Sequence, residues 1–370
     1  MNIILLACVA LAAVVLDLPP SPANPRNSEG DFMELKDGRI LYVYSHYTKG
    51  RGGDDDPAVL ASRESSDGGR TWTKESVPVV TNACGQNVMS VSLLRLPDDS
   101  IALFYLQKKS PADCRPVMRL SRDEARTWGP AVACIGETEK SYYVLNNSRV
   151  RRLSSGRLVL PLAMHERTES GSDMSGKIVC YLSDDSGRMW RRSRMAPFPT
   201  FDADGKRVVT QEPGVVELKD GRILLYARTN RGRQWFYYSS DGCETWTKGE
   251  PGSLWGPRSP ATITRLKNGD LLAIWNDYEF RQDRLKQGSA WASYPRTPLT
   301  LAISRDEGRT WPIRRNLADD PKGWYCYFSV LERDDGILLG YCAFDNLRHS
   351  QVASVPFSWL YATQPSTMNK

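Results

Sequence analysis

The side chains of this 370-residue chain that could do chemistry are carboxylates, arginines and tyrosines. Three histidines, His46, His165 and His349, are too few and too scattered for a His-metal or Ser-His mechanism. Cys84, Cys114, Cys134, Cys180, Cys243, Cys326 and Cys342 show no Cys-x-x-Cys spacing, which argues against zinc. Neither a metal nor an organic cofactor is expected. Glu212, in Gln211-Glu212-Pro213, and Arg228, in Tyr226-Ala227-Arg228-Thr229, open and close one hairpin, so adjacent strands can carry both side chains to one place. An acidic run, Asp54-Asp55-Asp56, sits between glycines and Pro57 in a loop. Guanidinium groups bind carboxylates bidentately, and the net charge of +6 comes without any Lys/Arg run. That distribution excludes a nucleic-acid tail and leaves a small anionic ligand open.

The elements that must position these groups are β-strands. Ser-x-Asp-x-Gly-x-Thr-Trp recurs five times, at Ser65 to Trp72, Ser121 to Trp128, Ser183 to Trp190, Ser239 to Trp246 and Ser304 to Trp311. Ala125 and Cys243 replace the glycine in two copies, and Met189 replaces the threonine in another. The box is a tight turn: Ser and Asp side chains bond to nearby backbone NH groups, Gly permits positive φ, and Trp packs beneath. Roughly thirty residues before each box lies a hairpin of the form Leu-Lys-Asp-Gly-Arg-Ile-Leu, as at Leu35, Leu218 and, with changes, Leu96, Leu153, Leu266 and Leu331. Six hairpins, with no comparable stretch of 3.6-residue period, predict an all-β, six-bladed β-propeller in which stacked blades bury the faces one blade alone would leave wet. Residues 1–23 read as a signal peptide, from the apolar run Ile3 to Leu16 and the prolines after it, and 24–370 as one domain. A monomer that is secreted or periplasmic, with no membrane span, is expected.

With its boxes and blades, the chain resembles the sialidase (neuraminidase) superfamily over nearly all of the length after residue 23. That resemblance implies a pocket with three arginines on a sugar carboxylate, an Asp acid/base, and a Tyr nucleophile whose proton goes to a Glu. A neutral phenol escapes the repulsion that a carboxylate nucleophile would meet beside the sugar's own carboxylate. Carried onto this sequence, the first arginine is Arg26, in Asn24-Pro25-Arg26-Asn27-Ser28-Glu29-Gly30, where the family's Ile-Pro pair is absent. The second is Arg228, with Glu212 as base, and the third is Arg296, in Pro295-Arg296-Thr297-Pro298. Tyr327 is the nucleophile, with Tyr325 two residues earlier as the alternative. Asp54 is the acid/base, with Asp55 and Asp56 beside it.

Polar side chains at the starts of inner strands face a propeller's ligand. Asn87, Asn147 and Arg149 are therefore assigned to sugar binding, with Asn146, Arg258 and Asn276 behind them and Trp235, Trp255 and Trp275 as stacking candidates. The implied activity is exo-hydrolysis of a terminal sialic acid or related acidic sugar from a glycan. Two alternatives stand beside it: the same scaffold acting on another glycan, and a non-catalytic propeller that binds glycan or protein.

Overall fold

A computed structural model describes residues 10–82, 85–168, 171–279, 295–343 and 348–362. The chain folds as a six-bladed β-propeller. The first blade runs outward through Arg26–Glu34, Ile40–Tyr47, Ala58–Ser65 and Val77–Val80. The fourth does so through Thr210–Glu217, Ile223–Thr229, Arg233–Ser239 and Glu250–Trp255, and the fifth through Thr262–Arg265, Leu271–Trp275, Leu299–Ser304 and Ile313–Ala318. The second and third blades are joined into one sheet by Tyr142–Val144, which pairs antiparallel with Leu158–His165 and parallel with Asp113–Ser121.

Among the described residues six apolar clusters, one at each blade-to-blade face, close the ring. Leu41, Val43 and Leu60 of the first blade meet Val91, Leu103 and Val117 of the second. Leu272, Ile274 and Leu301 of the fifth meet Ile337, Leu339 and Ala353 of the sixth. Phe32, Tyr42 and Tyr44 return to Leu338 and Val352, so the sixth blade packs on the first.

The boxes are built as expected. Asp67 accepts from the backbone NH of Thr71 (2.9 Å) and from its hydroxyl (2.6 Å), and Ser65 accepts from the NH of Gly69 (2.9 Å). Ala125 and Cys243 keep the left-handed backbone of the glycine they replace, with φ of 64° and 74°.

The segment read as a leader contains a strand of the propeller. Ala13–Leu18, inside the segment read as a leader ending at residue 23, is the outermost strand of the sixth blade, after Cys326–Glu332, Gly336–Ala343 and His349–Pro356. Leu18 is buried with Phe32 and Val352, and Asp17 accepts from Gln351 at 3.1 Å. An apolar run of this length suits a strand as well as a leader, so composition alone could not separate the two. Among the described residues, no helix is long and apolar enough to cross a membrane.

Candidate active site

Four inner strands break their pairing at the same depth. In the first blade Ser28 pairs with Ser45 and Asp31 with Val43, so Glu29 and Gly30 together face one residue. The same two-against-one bulge holds Ser90-Val91 in the second blade, Glu212-Pro213 in the fourth and Tyr327-Phe328 in the sixth. The leading residue of each lies at positive φ: Glu29 40°, Ser90 63°, Glu212 46° and Tyr327 61°. A bulge turns its side chain out of the alternating pattern, and strained backbone of this kind marks functional positions.

Around Glu212 the groups interlock. Arg228 donates to one carboxylate oxygen at 2.6 Å, and the Tyr327 hydroxyl donates to the other at 3.4 Å. Burial would raise the Glu212 carboxyl, but the Arg228, Arg296 and Arg149 guanidiniums outweigh it and hold the group below its usual value. Burial, joined by the Glu212 charge, pushes the Tyr327 phenol well above its usual value, so it rests protonated. Arg296 lies over the Tyr327 ring, 5.9 Å from its centre, donates to Cys326 Sγ at 2.8 Å and stands beside Trp324.

Arg26 enters from the first blade. It donates to Asp54 at 2.6 Å, to Ser28 at 2.9 Å and to the Gly52 carbonyl at 3.3 Å, and lies over Tyr47. Asp54 is thus in the site, although its side chain is 68% exposed. Asp55 is held by Lys108, and Asp56 accepts from the NH groups of Arg51 and Gly53, which ties the loop together. Several buried polar atoms here lack a hydrogen-bond partner: Arg26 Nε, Arg228 Nε and Glu29 Oε2. Unmet capacity gathered in one place is where a polar ligand gains most.

Other assignments change. Arg149 is not a sugar ligand: its guanidinium is fully buried and donates to Tyr226, Thr262 and the Ala261 carbonyl, tying the third blade to the fourth and fifth. Asn87 spends its amide on the Asp54 and Asp56 carbonyls (2.6 and 3.2 Å), and Asn147 on those of Gly30 and Tyr327 (2.8 and 3.0 Å). Both position other site residues. Asn276 likewise holds the Pro298 and Tyr325 carbonyls. Asn146 is buried, its amide nitrogen without a partner. Arg258 donates to Gln211. Tyr325 packs against Tyr341 in the core, because the bulge that follows it turns Tyr327 alone inward. Trp235 and Trp275 are core residues, and Trp255 carries the Arg233 guanidinium.

Glu29 went unassigned in the sequence, yet a signal existed. It stands six residues before Leu35-Lys-Asp-Gly-Arg-Ile-Leu41, as Glu212 stands six before the identical Leu218-Lys-Asp-Gly-Arg-Ile-Leu224. Its carboxyl lies 4.0 Å from Arg26.

A model of the BNR repeat-like domain matches residues 51–339. The chain belongs to the BNR repeat-like family, within the sialidase superfamily. A sialidase of Micromonospora viridifaciens is 24% identical over 332 residues, which is 80% of this chain and 45% of that protein. The chain therefore spans less than half the length of that curated relative. Among solved structures, a Dyadobacter fermentans protein of unknown function superposes with a TM-score of 0.70 at 18% identity, covering 93% of this chain and 99% of that one. The intramolecular trans-sialidase of Ruminococcus gnavus, in complex with oseltamivir carboxylate, superposes with a TM-score of 0.69 at 13% identity, covering 95% and 98%. At these identities the structures speak for the fold.

Proposed function

We propose that this BNR repeat-like chain is an exo-glycoside hydrolase of the sialidase type, releasing a terminal sialic acid or related acidic sugar from a glycan. The observation that carries this reading is the Tyr327 hydroxyl directed at a Glu212 carboxylate that Arg228 holds on its other oxygen. A phenol that rests protonated needs a base at the moment of attack, and an ionised buried carboxylate is one.

In the first step Arg26, Arg228 and Arg296 hold the sugar carboxylate. Tyr327 Oη bonds to the anomeric carbon while its proton passes to Glu212, and Asp54 gives its proton to the departing glycosidic oxygen. In the second step Asp54 takes a proton from water, the water oxygen attacks the anomeric carbon, and the Tyr327 phenolate leaves and recovers its proton from Glu212. Two displacements retain the configuration. For Asp54 to serve the leaving group it must quit Arg26, and an incoming sugar carboxylate is the natural replacement on that guanidinium.

Release of 4-methylumbelliferone from its N-acetylneuraminic acid glycoside, beside the corresponding glucuronide and galacturonide, tests the reading. No hydrolysis of any acidic glycoside by folded protein would refute it, and cleavage of a uronide alone would move the substrate to the other acidic sugars.

A further inference from the structure

Every other carboxylate of this site has a donor. Glu212 receives Arg228 and Tyr327, and Asp54 receives Arg26. Glu29 is different: its side chain is 5% exposed, its Oε2 is 4.0 Å from Arg26 Nη2, an ion pair beyond hydrogen-bond reach, and that oxygen has no hydrogen-bond partner. Arg26 cannot turn fully to it, because its guanidinium is occupied by Asp54, Ser28 and Gly52. Glu29 nevertheless sits on the bulge that the first blade shares with the Glu212 bulge of the fourth, at the matching φ and the matching distance from an identical hairpin.

Taking the acidic-sugar reading above as its basis, we propose that Glu29 is a further substrate-binding residue, which in its protonated form donates a hydrogen bond to the sugar carboxylate on Arg26, so that sugar and proton enter together. The proton comes from solvent and no covalent bond changes.

The charges around Glu29 explain why the protonated form is the one that binds. Among the described residues, Arg26 on its own strand is the cation that acts on it; Asp54 faces it from the loop after the next strand, and Glu212 from across the axis. Tyr47 on the neighbouring strand, Cys342 in the sixth blade and Tyr327 at the sixth blade's bulge are neutral at rest, their acidic groups all pushed up by burial. The second blade's inner strand brings only Arg95, at its far end and paired with Glu124, and His349 in the sixth blade contacts Asp17. Burial already raises the Glu29 carboxyl to about 7, against the pull of Arg26 and with Asp54 and Glu212 adding to the rise. A second carboxylate on Arg26 favours the proton further, since adjacent like charges in a buried site cannot both ionise.

The test is isothermal titration of the whole chain with N-acetylneuraminic acid and with glucuronic acid from pH 5.5 to 9, in buffers of differing ionisation enthalpy. Wild type is expected to bind with an affinity level at low pH that falls towards tenfold per pH unit above about 7, with about half a proton taken up per sugar near pH 7. Glu29→Gln keeps a donor without the titration, so its affinity should be level across the range, with no uptake and tighter binding than wild type at pH 9. Identical pH profiles and proton uptake in the two proteins would overturn the assignment alone. So would loss of binding by Glu29→Gln at every pH with an unchanged melting temperature. Failure of wild type to bind either sugar would sink the acidic-sugar reading and this assignment with it.

Discussion

If Tyr327 and Glu212 work as nucleophile and base, their removal must be redundant. Tyr327→Phe deletes one oxygen; Glu212→Gln, with its amide nitrogen turned to Tyr327, removes the base while the remaining oxygen still accepts from Arg228, 2.6 Å away. The phenol is held well above its usual value by burial, so almost none of it is ionised near neutrality and attack depends on the 3.4 Å contact with Glu212. Losing a positioned base costs on the order of 10²–10⁴ in kcat, which is roughly 3–5.5 kcal/mol at about 1.36 kcal/mol per decade. Independent effects would multiply in the double variant to roughly 10⁴–10⁸, whereas residues acting as a unit are expected to lose no more together than the worse single change. The assay is kcat on a fluorogenic sialoside at saturation, for wild type, both single variants and the double, with melting temperatures measured beside it. Multiplying losses in folded proteins, or Tyr327→Phe with wild-type kcat, would refute the pairing.

Three further outcomes follow from the same geometry. Glu29 and Asp31 are raised by burial to about 7 and about 6, above their unfolded values, so the stability they contribute is complete below about pH 4 and lost as pH rises through 6 and 7; Glu29→Gln should flatten the fall of melting temperature between pH 4.5 and 7, and an unchanged slope would count against the buried carboxyl. Leu18→Ala should lower stability in urea by about 2–4 kcal/mol, the cost of a cavity among Phe32, Tyr42 and Val352; no loss would mean that Ala13–Leu18 does not complete the sixth blade. Asn87→Ala frees the Asp54 loop from its clamp, so kcat should fall by roughly ten- to a hundredfold on a sialyl-lactose and less on an aryl sialoside, whose leaving group needs little acid assistance; equal losses on both substrates would refute the clamp.

The propeller was legible because its repeat is chemical as well as periodic. A Ser-x-Asp turn states its own hydrogen bonds, and the bonds of Asp67 and Ser65 are those that the residue types imply. The Glu212–Arg228 pair was legible for a related reason, since a hairpin of known length fixes which residues stand opposite, and Gln211 does pair with Arg228. Strict alternation misled elsewhere. It put Tyr325 and Tyr327 on one face, but Tyr327 opens a two-residue bulge and is turned away from that face. Arg149 looked like a pocket arginine by position, but reading its direction required knowing that Tyr226 and Thr262 come from two other blades to meet it. The apolar Ala13–Leu18 carried no mark distinguishing an export segment from an edge strand whose partner lies more than 300 residues away in sequence, as Leu18 facing Ser350 does.

The bulges also explain a division of labour among the site residues. Arg26, Arg228 and Arg296 reach the cluster from backbone without positive φ, because a guanidinium on a long stem can bend into a shared space from several origins. Glu29, Glu212 and Tyr327 cannot: a carboxyl on two methylenes, or a rigid ring, goes where its Cα–Cβ bond points. Turning those bonds inward takes a left-handed residue in an inner strand, at about 1–3 kcal/mol each. The surroundings hold the distortion in place. A glycine follows within two residues of each carboxylate, Gly30 in the first blade and Gly214 in the fourth, and a Cβ on either would come within 2.4 Å of the Tyr42 or Tyr226 ring beneath. The tyrosine thus fills the space that a straight strand's side chain would occupy, and its own hydroxyl is anchored in turn, Tyr226 by Arg149 and Tyr42 by Ser350. Arg149, misplaced as a sugar ligand, acquires its role here. It fixes the platform on which the Glu212 bulge rests, so the buried cation acts on Glu212 through the backbone geometry that aims it.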